Sequence, residues 1–429
     1  MSGSPRHRLR AGASILLPLA LLGLVPALAG AQTVEGPPPT PVVLPGGGTS
    51  PSPFPQALHT PAPSVEPPGI RAPSAVLADL ETGQVLFSRD PDAERPIASV
   101  TKIMTALLVL RRADPTERVT VSARAAGNGR SPGVSELGLQ VGERIRVDDL
   151  LYALMLQSAS DAAIALAEHV SGSVDAFVAL MNRTAEHLGM RHTRFASPSG
   201  LDDDGYSSAA DLVTLTRAAY RIPGFSSITA TRFHTVPGEE QDVAPRVVQN
   251  RNVLLWLYPG ATGVKTGFTS AAGFCVVASA EREGLRLVAV VLGEQGEPFS
   301  DAAALLNYGF SAFELRDLLA QGEPMGTVAI QGRAVAVAAG AAVRSALVPA
   351  DRRVRSTILV SHGITFPPAL GEQVGAVELR VGRLQIRRVP LLVTAVPGPS
   401  PPHEPGPWWR RAFSSVTRAV GGLLDALLG

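Results

Sequence analysis

Two proline-rich tracts constrain how this chain can fold. Residues 32–73 carry Pro37-Pro38-Pro39 and Pro67-Pro68 around a Gly46-Gly47-Gly48 run, and a second cluster of prolines falls in residues 398–407. Proline has no backbone N–H and fixes φ, so such tracts neither join a sheet nor build a core. The first is expected to be an extended, disordered linker and the second a hinge. Together they leave a head (residues 1–31), a body (74–397) and a tail (408–429), in a chain of 429 residues that is long enough for two or three domains.

The head places Arg6, Arg8 and Arg10 before an apolar stretch from Ile15 to Leu28 and then Ala29-Gly30-Ala31. A basic flank, an apolar core and a small-x-small end describe a secretory signal peptide, with cleavage expected after Ala31. In the tail, Trp409, Phe413, Val416, Val420, Leu423, Leu424 and Leu427 recur at helical spacing opposite Arg410, Ser414, Arg418 and Asp425. Charges interrupt it too often for a bilayer-spanning helix. It is expected to lie in the membrane interface.

Within the body, the runs Ala75–Ala78 and Val85–Phe87 flank Asp79-Leu80-Glu81-Thr82-Gly83, which predicts strand, turn and strand. Helical patterns follow at Ser99–Arg112, Val147–Leu156, Ser160–Val170 and Val174–Leu188. Strands return at Gly273–Ala280 and Leu285–Val291. We expect a mixed α/β domain over 74–310. A small all-β domain follows over 311–397, where short β-rich runs alternate with Gly and Pro.

A net charge of +1 supplies no basic field for nucleic acid. The histidines are scattered and there is one cysteine, so neither a metal site nor another cofactor is expected. Cys275 sits in an apolar run and reads as a buried structural thiol. The basic residues say more. Of 38 Lys and Arg, only Lys102 and Lys265 are lysines. Arginine serves as surface charge, but only lysine has a pKa that can fall far enough for its amine to act as a base.

Lys102 ends Ser99-Val100-Thr101-Lys102 at the start of a helix, where i and i+3 share a face and the amine can reach the Ser99 hydroxyl. Ser99 could equally be a helix cap. Lys265 opens Lys265-Thr266-Gly267-Phe268. On an edge strand these could hold an extended peptide and its carboxylate, with Gly267 admitting the substrate backbone. Between them, Gln157-Ser158-Ala159-Ser160-Asp161 stands at a loop-to-helix boundary. There a hydroxyl could relay a proton, or Ser158 could simply cap the helix.

In combination these segments resemble the Ser-x-x-Lys, Ser-x-Asn and Lys-Thr-Gly boxes of the penicillin-recognising acyl-serine enzymes. More narrowly, the body resembles the low-molecular-mass penicillin-binding proteins that are D-Ala-D-Ala carboxypeptidases. Ala98–Thr105, Asn250-Arg251-Asn252, Gly263–Thr269 and Ala272–Cys275 carry the likeness, over roughly 74–310. It implies a β-lactamase/transpeptidase-like fold, an antiparallel sheet flanked by a helical cluster. Ser99 would be the nucleophile, Lys102 its base and Ser158 a proton-transfer group. Lys265 and Thr266 would bind the substrate carboxylate, and the amides of Ser99 and Phe268 would form the oxyanion hole. Peptidoglycan stem peptides would be the substrates and β-lactams inhibitors, on the outer face of the cytoplasmic membrane.

Ser160 departs from the family, which usually has Asn there to bond the substrate's amide carbonyl. Losing that bond would cost on the order of 1 kcal/mol and slow the enzyme without silencing it. Ser197 also stands at a common Asn position. The rivals are a serine β-lactamase and a catalytically silent peptidoglycan-binding protein. Against the first, no Glu-x-x-x-Asn falls between Ser160 and Lys265. Against the second stand the two retained lysines.

Overall fold

In a computed structural model, the described residues are Leu58 and 64–398, except 129–133, 203, 239–243, 345 and 383. The expected signal peptide, most of the linker, nearly all of the hinge and the tail helix lie outside them.

The strands β1 (Ser74–Asp79), β2 (Val85–Arg89), β3 (Ala261–Thr269), β4 (Gly273–Arg282) and β5 (Leu285–Glu294) form one antiparallel sheet in the order β2-β1-β5-β4-β3. Every residue of β1 is buried, as expected for a strand covered on both faces. Alternation then sorts its neighbours. Val76, Val277, Val288 and Val290 join the core shared with the helical cluster. Leu77, Val276, Leu287 and Val291 join the core against the helix Pro298–Ala312, through Phe299, Leu305 and Leu306. The sheet is therefore the middle of three layers. The β1–β2 turn closes as its sequence predicts, with Gly83 at φ 79° and the Asp79 carboxylate accepting from the Thr82 amide at 2.8 Å.

The helical layer contains α1 (Lys102–Arg112), α2 (Ser160–Ser171) and α3 (Val174–His187). Arg111 and Arg112 fill the last turn of α1, where cations suit the carbonyl end. Gly172 caps α2 in the left-handed region, and Ser173 caps α3 by accepting from the Ala176 amide.

The predicted helix over Val147–Leu156 is α-helical only to Tyr152, and Ala153–Gln157 winds as a π turn. The predicted helix from Ser99 likewise begins as a 3₁₀ turn, Ala98–Thr101.

Residues 324–395 carry a second antiparallel sheet. Its strands run in the order 324–330, 333–339, 384–395, 373–381 and 355–360, around a core that includes Val335, Val377 and Leu391.

Two expected boundaries move. The linker was expected to be disordered through residue 73, but Ile70 and Ala72 are buried, and the Arg71 and Ala72 amides donate to the Asp301 carboxylate at 2.8 and 2.7 Å. Those charge-assisted bonds tie the segment to the outer helix before β1 begins. That helix also runs to Ala312, past the expected end at 310, and the strand Phe313–Arg316 pairs with Ala346–Pro349.

Candidate active site

The edge strand and the 3₁₀ turn meet where two glycines remove side chains. A Cβ on Gly267 would lie 2.9 Å from the Ile97 carbonyl oxygen and 3.0 Å from the Ser99 nitrogen. On Gly200, at φ +74°, a Cβ would lie 2.0 Å from the Ala98 carbonyl oxygen. The Ser99 turn is thus gripped on two sides by backbone. Ala98 itself sits at φ 47°, a region that costs an ordinary residue about 1 kcal/mol or more. The space beside Gly267, expected to admit the substrate backbone, is filled on its Cβ side by the nucleophile turn.

The grip presents Ser99 to Lys102. The lysine is fully buried, and its Nζ donates to Ser99 Oγ at 2.9 Å, to the Ser199 carbonyl at 2.7 Å and to Ser160 Oγ at 3.4 Å. Thr105 Oγ1, one turn along α1, donates to the Pro198 carbonyl at 2.7 Å and holds the loop that carries Ser199. Burial, helped by the charge of Arg251 and opposed by Asp161, lowers the Lys102 pKa from 10.5 to about 7. A lysine in that state is poised to take a proton near neutrality.

Lys265 is also buried, and its Nζ donates to the Thr266 carbonyl at 2.8 Å. Burial, then the charges of Lys102 and Arg251, hold its pKa well below the usual lysine range. Thr266 is half-buried. Phe268 is 56% exposed, and its ring packs at a tilt of 39° on Phe274, centroids 4.5 Å apart. β3 is the edge of the sheet, and among the described residues no further strand pairs with its outer side.

Arg251, in the Asn250-Arg251-Asn252 run, also belongs to the site. Its guanidinium donates to Ser135 Oγ at 2.6 Å, and its backbone amide donates to the Leu156 carbonyl at 3.1 Å. Among the described residues no carboxylate is ion-paired with Lys102, Lys265 or Arg251. Three basic side chains that no described carboxylate pairs with leave this place open to an anion, whose arrival would favour their charged forms.

Ser158 and Ser160 part company here. Ser158 takes the left-handed conformation at φ 66°, ending the π turn. It is not the cap of α2, because Ala159 holds that position and makes no side-chain cap bond. Ser160, 1% exposed, is the member of the pair that touches Lys102.

Asp161, overlooked in the sequence, accepts from the Leu137, Gly138 and Leu139 amides at 2.9–3.1 Å. Gln157 Nε2 donates to the Glu136 carbonyl and the Ser160 amide to the Ser135 carbonyl. Segment 135–139 is thereby lashed to the residues that form the site. An acid in the first turn of a helix was the only available signal, and it reads equally well as a dipole partner.

The chain is similar to several known proteins. The D-alanyl-D-alanine carboxypeptidase family is matched over residues 62–296. The D-alanyl-D-alanine carboxypeptidase DacD of Escherichia coli is 38% identical over 62% of this chain and 69% of its own. DacC of the same organism is 34% identical over 77% and 85%. Among solved structures, penicillin binding protein 5 of Haemophilus influenzae aligns at TM-score 0.64 and 30% identity, over 77% of this chain and 98% of that one. A mutant of the Streptomyces K15 DD-transpeptidase aligns at 0.54 and 32%, over 57% and 99%. The chain belongs to the D-alanyl-D-alanine carboxypeptidase family.

Proposed function

We propose that this carboxypeptidase removes the terminal D-alanine from peptidoglycan stem peptides through an acyl-enzyme on Ser99. The observation that carries the reading is the buried Lys102 amine, 2.9 Å from Ser99 Oγ, with its pKa brought to about 7. The peptide would lie along the free edge of β3 with its carboxylate toward Lys265 and Thr266. That anion would restore the charge of Lys265, which burial and like charges oppose in its absence. Lys102 would take the Ser99 proton as Oγ attacks the penultimate carbonyl. The backbone amides of Ser99 and Phe268 would receive the oxyanion. Water would then release the shortened peptide. β-Lactams would acylate the same serine as inhibitors.

Incubation with benzylpenicillin, followed by intact-mass analysis and peptide mapping, tests the assignment. A persistent penicilloyl adduct on Ser99 is expected. An adduct elsewhere, or rapid drug hydrolysis with none, would sink it. The acylation rate should climb about tenfold per pH unit below 7 and level off above, because protonation of Lys102 removes the base. A flat profile from pH 5 to 8 would remove Lys102 from that role.

We further propose export by the head and attachment to the outer membrane face by the amphipathic tail, both on the sequence patterns alone. Deleting 408–429 should move the protein to the soluble fraction with its carboxypeptidase rate unchanged. A truncated protein that still sediments with membranes would refute the anchor.

A further inference from the structure

The hairpin of strands Phe233–Val236 and Arg246–Gln249 has two faces that differ in what they touch. Its inner face is fully engaged. Val236 and Val248 are buried in the core shared with the helical cluster, His234 Nε2 lies 2.7 Å from Asp149 Oδ1, and Arg246 pairs with Glu143. Alternation turns Phe233, Thr235 and Val247 the other way. Among the described residues no layer covers that side: Phe233 is 53% exposed and Val247 65%. The half-buried Trp256 extends the patch. Its ring stands at 79° to that of Phe233, centroids 5.9 Å apart, and the Arg232 guanidinium lies over the indole at 5.7 Å. Large apolar side chains exposed together with a polar rim are the usual sign of a binding surface.

The patch is continuous with the active site. Phe233 pairs with Gln249, and the chain passes from Gln249 through Asn250 directly to Arg251. The Asn250 amide donates to the Arg232 carbonyl at 2.8 Å, so the strand that presents Phe233 starts from the segment that carries Arg251. We propose that Arg232, Phe233, Val247 and Trp256 form a platform for the glycan strand of peptidoglycan, separate from the place that takes the stem peptide. This rests on the carboxypeptidase reading above. The occupant follows from the substrate, because a stem peptide held at Lys265 and Thr266 brings its glycan mesh to the surfaces beside the cleft. Amino-sugar rings offer an apolar C–H face that stacks on an aromatic ring, edged by hydroxyl and amide oxygens. The Arg232 guanidinium, one N–H of which holds the Leu255 carbonyl, has further donors for those oxygens. A second contact on the same polymer raises the effective concentration of stems at Ser99 without altering the chemistry there.

The test compares the F233S/V247S double variant with the unaltered full chain on two substrates that share one stem. One is the free stem peptide ending in D-Ala-D-Ala, and the other is uncross-linked glycan strands that carry it. Circular dichroism checks each fold. On the strands, the KM of the variant should rise about tenfold with kcat kept, while its kinetics on the free peptide stay within about twofold. An equal loss on both substrates, or no loss on the strands, would overturn the platform. In the second case the patch would belong to another segment of this chain or to a protein partner. Calorimetric titration with stem-free glycan strands is independent of Ser99. The unaltered protein should bind them, and the variant at least about tenfold more weakly; equal binding by the two, or none by either, would also overturn the platform. Failure of the unaltered enzyme to release D-alanine from the free peptide would defeat the carboxypeptidase reading instead, and the titration would then decide the platform alone. Should the double variant fail to fold, F233A carries the same comparison.

Discussion

Replacing Lys102 by arginine should reduce acylation of Ser99 by about 10³-fold or more. The amine that the site brings to a pKa near 7 would be exchanged for a guanidinium that stays protonated under all working conditions. The exchanged group is cationic and of similar length, so charge is kept while basicity is lost. The space is tight: Lys102 is fully buried and its amine already contacts Ser99, Ser160 and Ser199. The larger head therefore adds roughly 1–3 kcal/mol of overpacking, which a shift of the thermal midpoint would register. Lys102→Met separates the two effects, because it fits the cavity and removes both charge and base. Acylation by both variants should be negligible while circular dichroism shows the native fold. Acylation by either at more than about a tenth of the original rate would move the base elsewhere.

The parts of this site that the sequence made legible are those whose chemistry is local. Lys102 lies one helical turn from Ser99, so their approach follows from spacing alone. Lysine against a background of arginine marked Lys265, and the run that follows it marked an edge strand. The parts that stayed hidden depend on distant backbone. Nothing near Gly200 announces that the Ala98 carbonyl will occupy the place of its Cβ, and Gly267 was credited to substrate approach because the turn that fills the space lies far away in the chain. Arg251 influences both lysines from a segment that reads as polar connection. Asp161 reads as a favourable helix-start acid until the amides it binds are seen. The large divisions of the fold were legible for the opposite reason: wholly apolar strands and helical runs declare their burial through composition. Short-range geometry failed where it was most constrained, since the π turn and the left-handed Ser158 answer to packing rather than to propensity.

Gly200→Ala should impair the enzyme without touching a reacting atom. The new methyl would stand 2.0 Å from the Ala98 carbonyl oxygen and 2.6 Å from Thr101 Oγ1, and the first of these is backbone that cannot swing away. The position also lies at φ +74°, where a side chain is strained whatever the space around it. Strain and clash together should lower stability by roughly 2–4 kcal/mol. To accommodate the methyl, the 3₁₀ turn must slide away from the loop, and it carries Ser99 with it. A displacement approaching 1 Å between nucleophile and base is worth about 100-fold in rate. Gly172→Ala isolates the conformational part, because that glycine has nearly the same φ, +75°, with nothing within 4 Å of the added Cβ, at the far end of α2. It should lose stability by about 1 kcal/mol and keep its acylation rate. If Gly200→Ala matched Gly172→Ala in both stability and acylation, the turn would have to be far more compliant than its two-sided grip allows. The precise placement of Ser99 would then have to come from the Lys102 contacts alone.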